Sequence, residues 1–485
     1  MDFWIVAEVL GALSYCVSAA MMIPLAYAVY AAEGDAAGVF FYASFVSLLL
    51  GGALRQKGHK PDRDFTLREG IAITALGWMM VSVLSMQPYL YGGWLGLLDS
   101  ITESVSGLSG TGATVMDVLD HLPRSLLLWR SLTNWVGGLG IIVIFMALLP
   151  QFGRGAVYMM QAESTGPTKE RQLPRIKDNA AALFKIYLTF TVVCGIVYIV
   201  CGMTPYDGVN HALTTIATGG FSTHGESFIY YNSSLLEAWA VFFMVISSGS
   251  FGMYVMAWRH GGQVILKNTE FKVFLSVFVI ATIIVTIDLM TEMGFNFTHS
   301  LRCSAFQVAS LFSTTGYVSD DFDLWPSFSK SVLLLLMFVG GCGGSTAGGL
   351  KVMRLVVLMK MVKAAAWQKL HPQIVAHVRM NGNIVPPDVL YGIARHFFIY
   401  VMLTVLFAFA MILDGISMID AVSVAVSTMG SVGPGFGIAG ATSTYALLPP
   451  FSKAVACFAM FLGRLEIFTV LALLQPEFWR WRKAW

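Results

Sequence analysis

Four short clusters, in each of which a glycine follows a small or β-branched residue, recur along this chain of 485 residues. They are Gly110-Thr111-Gly112-Ala113, Thr218-Gly219-Gly220-Phe221, Thr314-Thr315-Gly316-Tyr317 and Ser431-Val432-Gly433-Pro434. Glycine allows backbone conformations that turn carbonyl oxygens inward at low steric cost. Rings of such carbonyls replace the hydration shell of a cation such as K⁺ without burying a protein charge. The clusters therefore predict a cation pathway built from backbone oxygens.

The central glycine of each cluster follows from a spacing. Two clusters leave a choice, between Gly219 and Gly220 in the second and between Gly430 and Gly433 in the fourth. An aspartate lies 13 residues before the central glycine if Gly112, Gly220 and Gly433 are chosen, although the third cluster has Cys303 at that place. The spacing therefore selects Gly112, Gly220 and Gly433 as central glycines of the predicted carbonyl pathway. Pro434 lacks an amide hydrogen, so exact four-fold symmetry is not expected.

The helical segments that lead into the clusters are too short to cross a membrane. About 12 residues rise only ~18 Å, whereas the hydrocarbon core is ~30 Å thick. Irregular backbone at membrane depth is tolerated only where protein or a water-filled cavity surrounds it. The segments are therefore predicted to be re-entrant half-helices, with the negative ends of their dipoles directed at the ion.

The clusters belong to a unit that repeats along the chain. A long apolar helix, a short helix ending in a cluster and a second long helix recur, with central glycines 108, 96 and 117 residues apart. The predicted fold is all-α and integral to the membrane, with four membrane–pore-helix–membrane repeats in a pseudo-four-fold arrangement and two extra N-terminal transmembrane helices. The predicted boundaries are 1–67 for the N-terminal pair, then 68–178, 179–269, 270–390 (with a glycine-rich intramembrane loop) and 391–485 for the repeats.

Composition agrees with a membrane protein. Apolar residues make up 56% and charged residues 12%, about half the share of ~25% in soluble proteins, and the mean hydropathy is +0.70. A net charge of +2 gives no reason to expect nucleic acid as a partner. The six cysteines have neither disulfide-framework nor metal-site spacing, which is typical of small buried residues.

The distribution of charge predicts the topology. If the N-terminus is cytoplasmic, 23 of the 30 lysines and arginines fall in cytosolic segments, as the positive-inside rule requires. The opposite side then receives Arg124, Arg130, Arg302, Lys330 and Lys453. It also collects acids such as Asp99, Glu103 and Asp207. An acidic mouth of this kind concentrates cations and repels anions.

A second glycine-rich feature lies about thirty residues beyond each central glycine, and its longest form is in the third repeat. Residues 340–351 contain Gly340, Gly341, Gly343, Gly344, Ser345, Thr346, Gly348, Gly349 and Lys351. A Walker A phosphate loop is excluded, because Leu350 separates Lys351 from the glycines. The segment is predicted to be a flexible intramembrane loop that gates the pore; the alternative, strongest for the first two repeats, is close helix packing through small residues.

Arg464 and Glu466 are the charged residues deep in the last helix of the fourth repeat. Charges within a membrane are costly and indicate function. Arg464 either faces the pathway as a barrier to cations or pairs with Glu466 or with a backbone carbonyl at the helix end.

These motifs together resemble the Trk/Ktr/HKT superfamily of K⁺ transport proteins. The resemblance rests on the four clusters, of which Thr314-Thr315-Gly316-Tyr317 comes closest to the Thr-Val-Gly-Tyr-Gly filter of K⁺ channels, on the segment Gly344-Ser345-Thr346-Ala347-Gly348-Gly349-Leu350-Lys351 and on Gly463-Arg464-Leu465-Glu466-Ile467-Phe468-Thr469. The N-terminal helix pair favours its bacterial TrkH branch.

The resemblance implies a homodimer in the bacterial inner membrane, in contact with lipid, with one K⁺ path per subunit. It implies that backbone carbonyls of eight residues form the K⁺ filter: Thr111, Gly112, Gly219, Gly220, Thr315, Gly316, Val432 and Gly433. It also implies gating by residues 340–349 and Lys351, and a barrier at Arg464. It further implies a cytosolic TrkA-like regulatory ring that binds NAD or ATP, and no organic cofactor on this chain. The basic segments 169–177 and 351–379 are candidate docking surfaces for that ring; the alternative is that positive-inside topology alone explains their charge. Gly112, where Na⁺-preferring plant relatives carry serine, favours K⁺.

Three classes of function compete. A K⁺-selective channel driven by the membrane potential is the first, and a symporter that couples K⁺ to H⁺ or Na⁺ is the second. No chain of intramembrane carboxylates is evident in the sequence, which disfavours proton coupling. A membrane enzyme is the third, and we expect none, because no HExxH motif or localisable Ser/His/Asp set occurs.

Overall fold

The computed structural model describes residues 2–58, 66–140, 176–373, 377–465 and 467–479. Within these ranges the regular structure is helical, apart from one hairpin of two short strands, β1 (Arg379–Met380) and β2 (Asn383–Ile384). Six of the described helices are long and apolar enough to cross a membrane, and eight segments are if each of two bent helix pairs is one span. The predicted all-α membrane fold is therefore confirmed.

Two N-terminal helices form a hairpin ahead of the rest. Helices α1 (Phe3–Tyr30) and α2 (Gly34–Lys57) lie side by side, and the Ser14 hydroxyl donates to the Ser47 carbonyl at 2.6 Å. At the end of the hairpin that carries the chain terminus, Arg55 and Glu8 form an ion pair at 2.9 Å. These polar contacts hold two largely apolar helices in register.

The helices that follow recur in the order long helix, short helix, third helix. The first set is α3 (Leu67–Ser85), α4 (Gln87–Tyr91), α5 (Leu97–Ser109) and α6 (Arg124–Leu139). The second is α7 (Ile176–Val200), α8 (Pro205–Ile216), α9 (Ser234–Ser247) and α10 (Phe251–His260), followed by α11 (Gln263–Lys267). The third is α12 (Thr269–Glu292), α13 (Phe297–Phe312), α14 (Ser327–Val339) and α15 (Val352–Leu370). The fourth is α16 (Pro387–Leu413), α17 (Met418–Gly430), α18 (Pro450–Arg464) and α19 (Ile467–Leu474), followed by α20 (Pro476–Trp479).

The third helix of a set is interrupted in the second, third and fourth sets. Helices α9 and α10 meet at 87° across the short segment 248–250. Between α14 and α15 the chain leaves helical conformation over the glycine-rich residues 340–351. In the first set, α6 ends at Leu139, and the remainder of its predicted course lies outside the described residues.

The long helices have one face in the protein and one face outside it. Along α12, Val285 and Leu289 are fully buried, whereas Ile283 and Ile287 are half exposed. A soluble protein rarely displays such a continuous apolar surface, whereas a helix of this length and composition is suited to cross a membrane.

Acidic side chains cap the third helices in three of the sets. Glu33 accepts from the Arg124 and Ser125 amides at 2.9 and 3.1 Å. Asp288 accepts from the amide and hydroxyl of Ser329 at 3.1 and 2.5 Å, and Asp414 does the same for Ser452 at 2.9 and 2.7 Å. Each carboxylate satisfies amides at a helix N-terminus, where negative charge is favoured.

Replacement of Asp288 by alanine should therefore destabilise the fold. The loss of a cap costs about 1 kcal/mol, and thermal unfolding of the purified protein in detergent should begin at a lower temperature. The matched control is Glu292→Ala, because Glu292 lies exposed on the same helix. Equal melting temperatures for the two variants would contradict the capping role.

Candidate ion pathway

The four short helices end in the same way. Each is followed by a residue in the left-handed region, with φ of 71° at Gly110, 52° at Thr218, 57° at Thr314 and 53° at Ser431. The next amide then donates to a carbonyl five residues earlier, in the pairs Thr111–Ser106, Gly219–Thr214, Thr315–Ser310 and Val432–Ser427, at 2.9 to 3.0 Å. This hydrogen bond is that of a Schellman cap. The clusters thus cap their helices and continue beyond them.

The glycines that follow these caps form a closed ring. All four have positive φ: Gly112 at 76°, Gly220 at 69°, Gly316 at 81° and Gly433 at 106°. A Cβ built on each would collide with a carbonyl oxygen of the next cluster, and the oxygens belong in turn to Gly219, Thr315, Val432 and Thr111. Only glycine fits such contacts. The structure therefore brings the eight predicted filter residues together. The four central glycines, including the three that the spacing selects, share a positive φ and make the same contact with the next cluster.

A cavity of about 510 Å³ opens on one side of the ring. The four central glycines form its floor, and Asp117, His224 and Glu226 are among the residues of its wall. Behind it, burial raises the pKa of Asp207. Hydrogen bonds from the Thr204 and Thr223 hydroxyls, together with the His224 imidazole 3.7 Å away, outweigh burial and hold that pKa well below its usual range. The cavity wall is thus lined and backed by carboxylates, a setting that favours cations.

The glycine-rich segment 340–351 lies on the other side of the ring. The Thr346 hydroxyl donates to the Ile216 carbonyl at 3.0 Å, at the end of α8, and the Gly348 amide donates to the Thr314 hydroxyl at 2.7 Å. A Cβ on Gly348 would collide with the carbonyl oxygen of Gly430, at the end of α17. The segment therefore passes beneath three of the four helix ends.

Further contacts hold this segment to its surroundings. Glu270 accepts from the Gly343 and Met353 amides at 2.6 and 3.1 Å, and the Gly344 carbonyl accepts from the Phe251 amide at 3.0 Å. The Lys351 side chain is buried and donates to the Ala347 carbonyl. The described loop is thus an ordered element with its polar groups engaged.

Arg464 connects this loop to the first set of helices. Its guanidinium donates to the Thr346 carbonyl at 3.1 Å, to the Gly138 carbonyl at 2.7 Å and to the Gly137 carbonyl. One predicted alternative for Arg464 was a backbone carbonyl at the helix end. Arg464 does bind backbone carbonyls, but these belong to the loop and to α6. Glu466 lies outside the described residues. Arg464 also lines a cavity of about 20 Å³ with Lys351 and Arg354, so three basic residues lie together beneath the ring.

Two residues expected on the outer surface lie inside the protein. Glu103 and Arg130 are 0% and 1% exposed and form an ion pair at 2.7 Å. They therefore belong neither to the acidic mouth nor to an outer loop, because each is the partner that makes burial of the other tolerable. Sequence reasoning missed the pair because the partners lie on two different helices.

A polar residue nine positions before the central glycine supports three of the clusters. Glu103 accepts from the Val115 amide at 2.9 Å, His211 contacts the Ser222 hydroxyl at 3.1 Å, and Gln307 donates to the Asp320 carbonyl at 3.3 Å. Each thereby binds the chain that returns from its own cluster. The fixed spacing of nine was a usable sequence signal, although Val424 holds this position in the fourth repeat.

Tyrosines brace neighbouring clusters against each other. The Tyr317 hydroxyl lies 2.5 Å from the Thr214 hydroxyl and 3.1 Å from the His211 carbonyl, both on α8. The Tyr445 hydroxyl donates to the Gly433 carbonyl at 2.8 Å, while the Tyr445 amide donates to the Thr114 carbonyl at 2.8 Å. The second and third clusters are thus joined, as are the fourth and first.

Re-entrant helices that meet at a ring of backbone carbonyls, open on one side and covered by a loop on the other, define a membrane transport protein rather than an enzyme. Comparison with known proteins agrees. Residues 36–480 match the TrkH family, described as cation transport proteins, and the chain belongs to that family.

Individual relatives span nearly the whole chain. It is 34% identical to the Trk system potassium uptake protein TrkH of Halomonas elongata and 32% identical to that of Escherichia coli K12, in each case over 99% of this chain and 100% of the relative. The crystal structure of the potassium transporter TrkH from Vibrio parahaemolyticus superposes with a TM-score of 0.89 at 31% identity, covering 99% of this chain and 100% of that one.

Removal of the Tyr317 hydroxyl should loosen the contact between the second and third clusters. Tyr317→Phe leaves buried hydroxyl and carbonyl groups on α8 without this partner, which costs about 1–2 kcal/mol. Thermal unfolding in detergent should show the loss. Tyr230→Phe is the control, because Tyr230 is 57% exposed. An unchanged melting temperature for Tyr317→Phe would refute the bracing role.

Proposed function

We propose that this protein takes up K⁺ across the bacterial inner membrane by conducting dehydrated ions through the ring of cluster carbonyls. The observation that carries the proposal is the closed ring, in which each central glycine abuts a carbonyl of the next cluster. Backbone carbonyls supply the oxygens that a K⁺ ion needs after it loses its water. The relatives named as potassium uptake proteins support K⁺ as the ion.

The proposed path runs from the acidic cavity through the ring and past the glycine-rich loop. Ions enter where the field of the carboxylates concentrates cations, and the membrane potential drives them inward. The loop of residues 340–351 and Arg464 form the proposed gate: they cover the inner side of the ring, and a guanidinium there repels a cation. Conduction requires that the loop and the guanidinium move aside together.

Regulation is proposed to come from the cytosolic side. The N-terminus is cytoplasmic in this proposal, which places α15 and the hairpin β1–β2 on the same side as most of the lysines and arginines. Lys363 and Trp367 on α15 are exposed there. We propose this surface as the docking site for a TrkA-like ring that binds NAD or ATP, and a homodimer as the assembly that the ring contacts. The other predicted docking segment, residues 169–177, lies almost wholly outside the described residues.

Ion flux into liposomes tests the proposed function. With the voltage set by a separate ionophore and no pH or Na⁺ gradient, K⁺ flux should follow voltage and Na⁺ flux should be much smaller. Gly316→Ser should reduce this selectivity, because a side chain at Gly316 collides with the Val432 carbonyl. Gly392→Ser is the control, since a Cβ at Gly392 meets no atom within 4 Å. K⁺ flux that requires an H⁺ or Na⁺ gradient would instead identify a symporter.

Arg464→Gln tests the proposed gate. The substitution removes the charge and the guanidinium hydrogen bonds to the carbonyls of Thr346 in the loop and of Gly137 and Gly138 in α6. Voltage-driven K⁺ flux through the protein alone should rise about tenfold, the factor that ~1.4 kcal/mol corresponds to. Arg395→Gln, which changes an exposed arginine of α16, should leave the flux unchanged. Flux that stays at the wild-type level in Arg464→Gln would remove Arg464 from the gate.

A further inference from the structure

The buried ion pair of Glu103 and Arg130 bridges two clusters of the ring. Arg130 Nε donates to Glu103 at 2.7 Å, while its terminal nitrogens donate to the Thr114 hydroxyl at 3.0 Å and the Ser222 carbonyl at 3.2 Å. The guanidinium carbon lies 4.2 Å from the ring centroid of Phe221. Thr114 and Ser222 each lie two residues beyond a central glycine, so a single side chain spans the first and second clusters.

Glu103 completes the link on the side of the first cluster. Its carboxylate accepts from the Val115 amide at 2.9 Å and lies 3.1 Å from the Thr114 hydroxyl. With 0% and 1% exposure, neither charge has water to replace its partner. Charge-assisted bonds of this kind are stronger and more directional than neutral ones. Glu103 and Arg130 therefore both hold the chain that follows Gly112, through Thr114 and the Val115 amide.

The first cluster needs such support more than the others. The residue after the central glycine is aromatic in the second and third clusters and a proline ring in the fourth, but it is Ala113 in the first. Tyr317 anchors its cluster through its hydroxyl, whereas a methyl group makes no polar contact. The positions equivalent to Glu103 hold His211, Gln307 and Val424, so the ion pair is particular to the first repeat.

We propose that Glu103 and Arg130 are positioning residues for ion selectivity, which fix the spacing between the first and second clusters of the ring. Carbonyl oxygens that face one another repel, so a ring keeps its size only where the surrounding protein holds it. A ring that is free to contract or widen accepts Na⁺ alongside K⁺. This inference rests on the proposed function, because selectivity has meaning only if the ring conducts.

The ratio of K⁺ to Na⁺ flux in liposomes tests the proposal. Arg130→Gln should lower this ratio by about tenfold while K⁺ flux persists. Arg130→Lys, which keeps the charge but loses the planar fork, should give an intermediate ratio. Arg302→Gln is the matched control: Arg302 forms a bidentate pair with Glu237 at 2.7 Å, and neither of these residues touches a cluster. Its flux ratio should equal that of the wild type.

The outcomes separate the inference from the function beneath it. Wild-type protein without preference for K⁺ would refute the proposed function. Selective wild type together with selective, folded Arg130→Gln would overturn the positioning role alone. If Arg130→Gln does not fold, the flux ratio is measured for Glu103→Gln and Arg130→Lys instead. A wild-type ratio of K⁺ to Na⁺ flux in both variants overturns the proposal. Loss of folding in all three, with Arg302→Gln intact, would make the pair purely structural and overturn it as well.

Discussion

Every backbone amide and carbonyl that leaves a helix inside a membrane needs a partner, because hydrocarbon offers none. Four helices of this protein end between longer ones, and the rest of the architecture follows from that constraint. The Schellman caps satisfy the amides just beyond the helix ends, and the left-handed residues turn the chain back on itself. The carbonyls that remain are gathered at one ring, where a cation is the proposed partner.

The supports of the ring differ from one junction to the next. The first and second clusters share the ion pair, the second and third share the Tyr317 hydroxyl, and the fourth and first share Tyr445. At the ring itself the backbone follows one pattern, while the side chains behind it have diverged. The Gly433 carbonyl accepts from both Ser427 and Tyr445, each at 2.8 Å. A carbonyl with two protein donors has little capacity left for an ion. These contacts argue against the predicted filter role of the Gly433 carbonyl, and the fourth cluster departs from symmetry beyond the effect of Pro434.

Local features of the sequence predicted much of this arrangement. The short helices follow from length and the central glycines from their spacing after Asp99, Asp207 and Asp420. The backbone conformation at the ring requires glycine whichever side chains surround it, so the positions of the ring glycines can be predicted from the sequence alone. Glu103 and Arg130 were predicted to lie on the outer surface, because a charged residue of a membrane protein is expected to contact solvent unless a partner for an ion pair is known. That partner is set by the packing of α5 against α6, which no local pattern encodes.

The same reasoning explains why Arg464 could be singled out but not understood from sequence. Arg464 could be singled out because a charged residue is rare inside an apolar helix. Its acceptors could not be predicted, because they lie at the end of α6 and in the loop, both far away in the chain. Those acceptors bear on how the proposed gate could work. The Gly137 and Gly138 carbonyls would lose a charged donor if the loop withdrew with Arg464, and buried carbonyls without donors are costly. In the proposed gate, opening would therefore require water to enter beneath the ring, since water is the donor that can replace the guanidinium. An ion that leaves the ring also needs water, so in this proposal the step that opens the path would supply the solvent that rehydrates the ion.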